Sequence, residues 1–225
     1  MASTLIGQQA VVIGAGMAGL TAAGALADRF EHVVVLERDI LPSEPTYRAG
    51  TPQARHVHAL LLSGQRALSE LFPGFEQDLA RAGAVPLRVG LDLRMERPGY
   101  DPFPQRDLGW CSYALSRPTI ERTVRSRVEA QPNTTLRQRC RVQEILATPN
   151  GEAITGVRYE NANGTSEIIA ADLVVDASGR GASTLGLLKS MGRPLPEETT
   201  IGIDLGYATC VFAVPDDAPP TGRGL

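Results

Sequence analysis

The apolar patterning of the chain predicts an α/β fold: a parallel sheet interrupted by antiparallel strands. Three observations lead there. A glycine-spaced segment near the start joins two short apolar runs, and a similar run returns at Asp172 to Asp176. Between them lie stretches in which apolar and charged residues alternate. Strands buried on both faces read as unbroken apolar runs, and half-exposed antiparallel strands read as alternation.

Taken in order, Ala10-Val11-Val12-Ile13 is predicted as a buried strand, Ala15 to Asp28 as the following helix, and His32 to Glu37, rich in valine, as a second buried strand. Three prolines between Arg38 and Ala54 make that segment a loop. A helix is expected from His56 to Phe72, its stripe being Val57, Leu61, Gly64, Leu68 and Leu71, with Pro73-Gly74 as its stop. Leu87 to Met95 alternates and is expected as a half-exposed strand. A loop from Arg97 to Gly109 and a strand from Trp110 to Leu115 come next. Ser116 is placed to cap a helix with the stripe Ile120, Val124 and Val128, Pro118 being tolerated in its first turn. Asn150-Gly151 and Asn163-Gly164 are hairpin signals. After the run at Asp172 to Asp176 and a glycine-rich turn, a strand pair is expected from Thr200 to Ala213, ahead of a Pro- and Gly-rich end.

Composition narrows the function. With 225 residues, 43% hydrophobic and 21% charged, the chain can bury a substantial core. A net charge of −3 and the lack of any basic block exclude a nucleic-acid partner from the expectations. Ala10 to Ala27 carries no charge, but Gly14, Gly16, Gly19 and Gly24 interrupt it, and Met1 to Gln9 holds no Lys or Arg. Neither an export signal nor stable membrane insertion is expected, and the location expected is cytoplasmic. Three widely spaced cysteines without a CxxC read as reduced thiols. His56 and His58, two apart, cannot share one helix face, and His32 is distant, so no metal site is expected.

Gly14-x-Gly16-x-x-Gly19 stands between the first strand and the first helix. In a Rossmann-like unit the first glycine makes the tight turn, the second admits a pyrophosphate, and the third lets helix and strand pack closely. The pyrophosphate then meets the free N–H groups of the helix start. Glu37, ending the second strand, is placed to accept hydrogen bonds from a ribose diol and would repel a 2′-phosphate. This pattern alone does not separate NAD from FAD.

Four segments carry a family resemblance: Val12 to Leu20; Pro52-Gln53-Ala54-Arg55-His56-Val57-His58-Ala59-Leu60-Leu61; Leu115-Ser116-Arg117-Pro118; and Asp172 to Gly181. With them the chain resembles the N-terminal part of the FAD-dependent monooxygenase superfamily of aromatic hydroxylases and bacterial epoxidase-like enzymes, over most of its length. The resemblance implies a Rossmann-like FAD-binding domain of the glutathione-reductase type, carrying inserted antiparallel strands of an incomplete substrate domain. Its division would be residues 1–83 and 116–198 for the FAD-binding domain, 84–115 for strands of the substrate sheet, and 199–225 for the start of the substrate domain. FAD would be the cofactor, held by Gly14, Gly16, Gly19 and Glu37, with Arg38 beside the adenine end, Arg48 on the flavin side, Arg117 at the pyrophosphate and ribityl chain, Val142 at the adenine edge, and Asp176 opening a second flavin motif. Ala177 follows that acid where relatives carry glycine, and Ser183-Thr184 stand where an arginine is expected.

The activity implied is hydroxylation or epoxidation of a small organic molecule with NAD(P)H and O₂. No catalytic side chain is singled out, because the cofactor carries the chemistry. Relatives also have a later Gly-Asp motif, and no Gly-Asp dipeptide occurs in this sequence, so a truncated chain or fragment is expected. Three alternatives stay open: a reductase, dehydrogenase or halogenase of the same fold; a non-catalytic fragment; and a NAD-dependent dehydrogenase.

Overall fold

The computed structural model describes residues 4–56, 58–92, 98–181, 183–210, 213 and 215. The chain divides into two compact units, one formed by residues 1–52 and 121–205, the other by 53–120 and 206–225.

The first unit is built on a four-stranded parallel sheet in the order β5-β2-β1-β9. Its strands are β1 (Gly7–Ile13), β2 (Phe30–Glu37), β5 (Thr134–Gln138) and β9 (Leu173–Asp176). The two glycine-flanking strands form because their apolar runs are buried on both faces: Ala10 to Ile13 and Val33 to Leu36 are all at most 5% exposed. Helix α1 (Met17–Ala27) makes the crossover from β1 to β2 and packs on both. The opposite face of the sheet, with Val11, Ile13, Val34 and Leu36, packs into one core with Cys140, Ile145, Val157 and Tyr159.

Ile145, Val157 and Tyr159 belong to a three-stranded antiparallel sheet of β6 (Arg141–Ala147), β7 (Ile154–Glu160) and β8 (Ser166–Ala170). Its two hairpin turns fall at Asn150-Gly151 and Asn163-Gly164, as their turn chemistry predicts. In the second turn the Asn161 side chain accepts from the backbone N–H groups of Asn163 (2.9 Å) and Thr165 (3.1 Å). Helix α5 (Ser183–Ser190) packs on β6.

The second unit holds a short 3₁₀ turn (Pro52–Arg55), helices α2 (Leu62–Leu71) and α3 (Phe75–Arg81), and the antiparallel pair β3 (Val85–Arg88) and β4 (Cys111–Ala114). Helix α4 (Arg117–Glu129) starts here. Ser116 caps it as expected, its Oγ accepting from the Thr119 N–H at 3.2 Å.

Three sequence-based expectations are corrected. The helix expected from His56 begins only at Leu62. The carbonyls that would start it earlier are taken otherwise: His56 O by the His58 ring (2.9 Å) and Leu60 O by the Ser112 hydroxyl (2.9 Å). Val57, the first residue of the expected stripe, lies outside the described residues. The strand expected from Leu87 to Met95 ends at Arg88. Asp92 accepts from the Arg88 N–H at 2.8 Å and folds the chain into a turn, and residues 93–97 lie outside the described part. The strand pair expected from Thr200 to Ala213 is not formed at 200–210, where no ladder partner is present among the described residues; positions 211 and 212 are not described.

Candidate functional site

The carboxyl ends of three neighbouring strands assemble the site. Ile13, the last residue of β1, stands in register with Leu36 of β2 and with Asp176 of β9. The chain runs from β1 to β2 and β5 on one side and reaches β9 on the other, so the loop after β1 lies at the point where strand order reverses. Ligands of open α/β sheets bind in that crevice.

Gly14 has φ +97°, which L side chains rarely adopt, and a Cβ there would come within 2.7 Å of the Ala177 carbonyl oxygen. A Cβ on Gly19 would overlap the Gly14 carbonyl oxygen, so this glycine sets the approach of α1 to the loop. Gly16 differs, because a Cβ there would meet nothing within 4 Å. Its bare face borders open space. Gly16 is also the N-cap of α1, without a side-chain cap and without an acid in the first turn. The helix therefore presents its first N–H groups and positive end without an acid of its own first turn.

Glu37 is buried. Its Oε2 accepts from the Ala15 N–H at 2.6 Å and its Oε1 from the Asp39 N–H at 2.9 Å, so the carboxylate ties the glycine loop to the end of β2. The chain leaving β5 returns to the same place: Cys140 N–H donates to Glu37 O (2.8 Å) and Arg139 N–H to Asp39 O (3.2 Å). Arg139 takes a left-handed conformation (φ 58°) in doing so. Val142 follows in β6, half-buried, paired with Tyr159 and just before a β-bulge. Arg38 is turned to solvent, its side chain 65% exposed and 4.0 Å from Asp39.

Arg48 is held in the interior of this unit. Its Nε donates to Glu121 Oε1 (2.7 Å), its Nη1 to Asp39 Oδ2 (2.7 Å) and its Nη2 to the Ala15 carbonyl (3.3 Å), with Glu37 Oε1 3.8 Å from Nη1. Burial disfavours the guanidinium charge, but Glu121, Glu37 and Asp39 outweigh it and hold its pKa above the ordinary value. Asp39 Oδ2 also accepts from the Gly50 N–H at 2.7 Å, closing the loop that carries Arg48.

On the other flank, Asp176 accepts from Ser178 N–H (3.1 Å), Thr184 N–H (3.1 Å) and the Thr184 hydroxyl (2.7 Å). Burial pushes this carboxyl up, yet the hydrogen bonds from Ser178 and Thr184 prevail and hold it below the usual range. Thr184 thus occupies the place where an arginine is expected and binds the acid itself. Arg117 is the first residue of α4, half-buried, and belongs to the second unit.

The first unit thus brings together Gly14, Gly16, Gly19, Glu37, Arg48 and Asp176. The sequence reading passed over Asp39 and Glu121, and named Thr184 only as standing where an arginine is expected. Glu121 had a visible signal: it lies beside Ile120 and Val124 in the buried stripe of α4, a poor place for a charge without a partner.

The residues present fit a dinucleotide. A bare glycine face borders open space, an uncapped helix start lies beside it, and an acid whose oxygens keep acceptor capacity ends the next strand. The sequence model of the FAD binding domain family matches residues 8–201. Protein Rv3254 of Mycobacterium tuberculosis is 37% identical over 215 residues, which make up 92% of this chain and 45% of that protein. The chain therefore spans under half the length of this relative. Two solved structures are similar. The myxobacterial chondrochloren halogenase CndH is 24% identical with a TM-score of 0.56, over 78% of this chain and 38% of that one. The p-nitrophenol 4-monooxygenase PnpA from Pseudomonas putida is 19% identical with a TM-score of 0.57, over 82% and 43%. At these identities the two structures establish the shared fold.

Proposed function

Because the chain belongs to the FAD binding domain family and its cofactor is FAD, we propose that it is the cofactor-holding part of a flavin-dependent monooxygenase. The observation that carries this reading is the crevice at the carboxyl ends of β2, β1 and β9, with the open face of Gly16 between Glu37 and Asp176. In this reading the first N–H groups of α1 hold the pyrophosphate, Glu37 accepts from the adenosine ribose, and Asp176 closes the flavin side. Arg38, Arg117 and Val142 enter on the resemblance to relatives alone.

Bound FAD would accept a hydride from NAD(P)H and activate O₂ for transfer of one oxygen to a small organic substrate. The protein's share is then to position the cofactor, keep water out and hold its charge. Within this crevice, backbone N–H groups and the helix end offset the diphosphate charge. The Glu37 carboxyl group is held in place by its two backbone donors, with Arg48 Nη1 3.8 Å from Oε1.

A halogenase is the second reading, favoured by the likeness to CndH, which shares the fold. The test is to supply FAD, NADPH and O₂ with a panel of aromatic and alkene substrates, with and without halide, to the longest protein that carries this chain. Oxygenated product without halide supports the proposal. Product formed only with halide selects the halogenase, and failure to bind FAD at all overturns both.

A further inference from the structure

We infer that Glu121 is a positioning residue of the FAD site, acting through Arg48; the inference rests on the reading of the crevice given above. Glu121 comes from α4, whereas the cofactor-facing groups come from the strand ends and the glycine loop. It reaches them through the 2.7 Å hydrogen bond from Arg48 Nε. A guanidinium is planar and carries its five N–H donors in a fixed fork, so fixing Nε fixes the plane and the direction of both Nη groups. One of these donates to Asp39, 3.8 Å from the Glu37 carboxylate, and the other to the Ala15 carbonyl inside the glycine fingerprint. Arg48 therefore joins three parts of the crevice: the ribose acid, the loop after β2 and the phosphate loop.

Burial makes the arrangement specific. The side chains of Arg48 and Glu121 are 7% and 9% exposed, so neither is a mobile surface charge. Three carboxylates face the Arg48 guanidinium here, and the buried Arg125 lies near enough to feel both Glu121 and Arg48. Asp39 has a second task, accepting from Gly50 N–H, and Glu37 is tied to Ala15 and Asp39. Glu121 is the acid of the three that touches Arg48 from outside the crevice, and it sets the guanidinium's orientation.

The experiment uses the full 225-residue chain and FAD as the probe, with the dissociation constant read from flavin fluorescence and the apoprotein's urea midpoint read separately. Glu121→Ala is expected to weaken FAD by about tenfold, the scale of one lost charge-assisted hydrogen bond, and Glu121→Gln, which keeps an acceptor oxygen, to return within about threefold of wild type. In an Arg48→Ala background, adding Glu121→Ala is expected to change FAD binding by less than about twofold, since residues acting as one unit are not additive. Glu121→Met, of similar volume without an acceptor, stands in for the alanine variant if that one does not fold. A fall in the urea midpoint with FAD affinity unchanged makes Glu121 merely structural and overturns the inference, as does an equal loss with and without Arg48. Glu37→Ala is the control for the underlying reading: wild-type FAD affinity in that variant would show that the site itself lies elsewhere.

Discussion

Glu37 illustrates how much one side chain can decide. It ends β2, where its backbone is still sheet, and its carboxylate already accepts two backbone N–H groups. A ribose diol would add donors to an acceptor that is fixed before binding. Glu37→Ala is expected to weaken FAD binding by about 1–3 kcal/mol, the cost of leaving hydrogen-bonding groups unpaired. Flavin absorbance retained after dialysis at the wild-type level would remove Glu37 from the site. Asp176 gives the matching prediction in pH. Its folded pKa is depressed, so its contribution to stability is present above the unfolded carboxylate value of about 3.9 and is lost as pH falls through the folded value. Urea midpoints measured down the acid limb should fall less steeply in Asp176→Asn and in Thr184→Val than in wild type. Parallel acid limbs for all three proteins would show that Thr184 does not hold the acid.

At the scale of elements, the unit that matters is the strand, loop and helix around the three glycines. Two alanine substitutions should separate their tasks. Gly16 keeps φ −76° and has open space around it, so Gly16→Ala is expected to leave apoprotein stability within about 0.5 kcal/mol of wild type while sharply weakening FAD. At Gly19 the added methyl overlaps the Gly14 carbonyl, and α1 has to move off the loop. Gly19→Ala is therefore expected to cost about 1–3 kcal/mol in stability as well as FAD affinity. The contrast is read from thermal melts of the apoprotein alongside FAD titrations. Equal FAD affinity for Gly16→Ala and wild type would mean that no phosphate approaches that face. The antiparallel sheet has its own link to the parallel one: the Tyr159 hydroxyl receives a bond from Arg137 of β5 (2.9 Å) and donates to Glu167 of β8 (2.5 Å).

Across the molecule, the described residues from 193 to 210 form no helix or strand, and Ile201, Ile203, Leu205 and Tyr207 are 60–85% exposed. Apolar surface of this kind favours association. The chain also covers 45% of its Mycobacterium tuberculosis relative. The 225-residue chain alone, given FAD, NADPH and substrates, is accordingly expected to oxidise NADPH slowly, release hydrogen peroxide and self-associate. Product and peroxide assays run in parallel, with light scattering, check this. Coupled product from a monomeric chain would show that these residues suffice.

Local chemistry made much of the molecule legible from its sequence. Unbroken valine-rich runs bounded by turn signals read as buried strands, Gly14-x-Gly16-x-x-Gly19 admits few backbones, and Ser116 and the two Asn-Gly turns are read from hydrogen bonds a few residues long. Where partners are distant in sequence, the pattern was mute. Tertiary structure decided that the alternating stretch after Leu87 turns at Asp92, that helix α2 starts late because Ser112 holds Leu60, and that Thr184 binds Asp176. It also decided that Arg48 lies inside among three acids, one of them 73 positions away. Periodicity reports which face of an element is buried, but the choice of partner for a buried charge is made only when the elements meet.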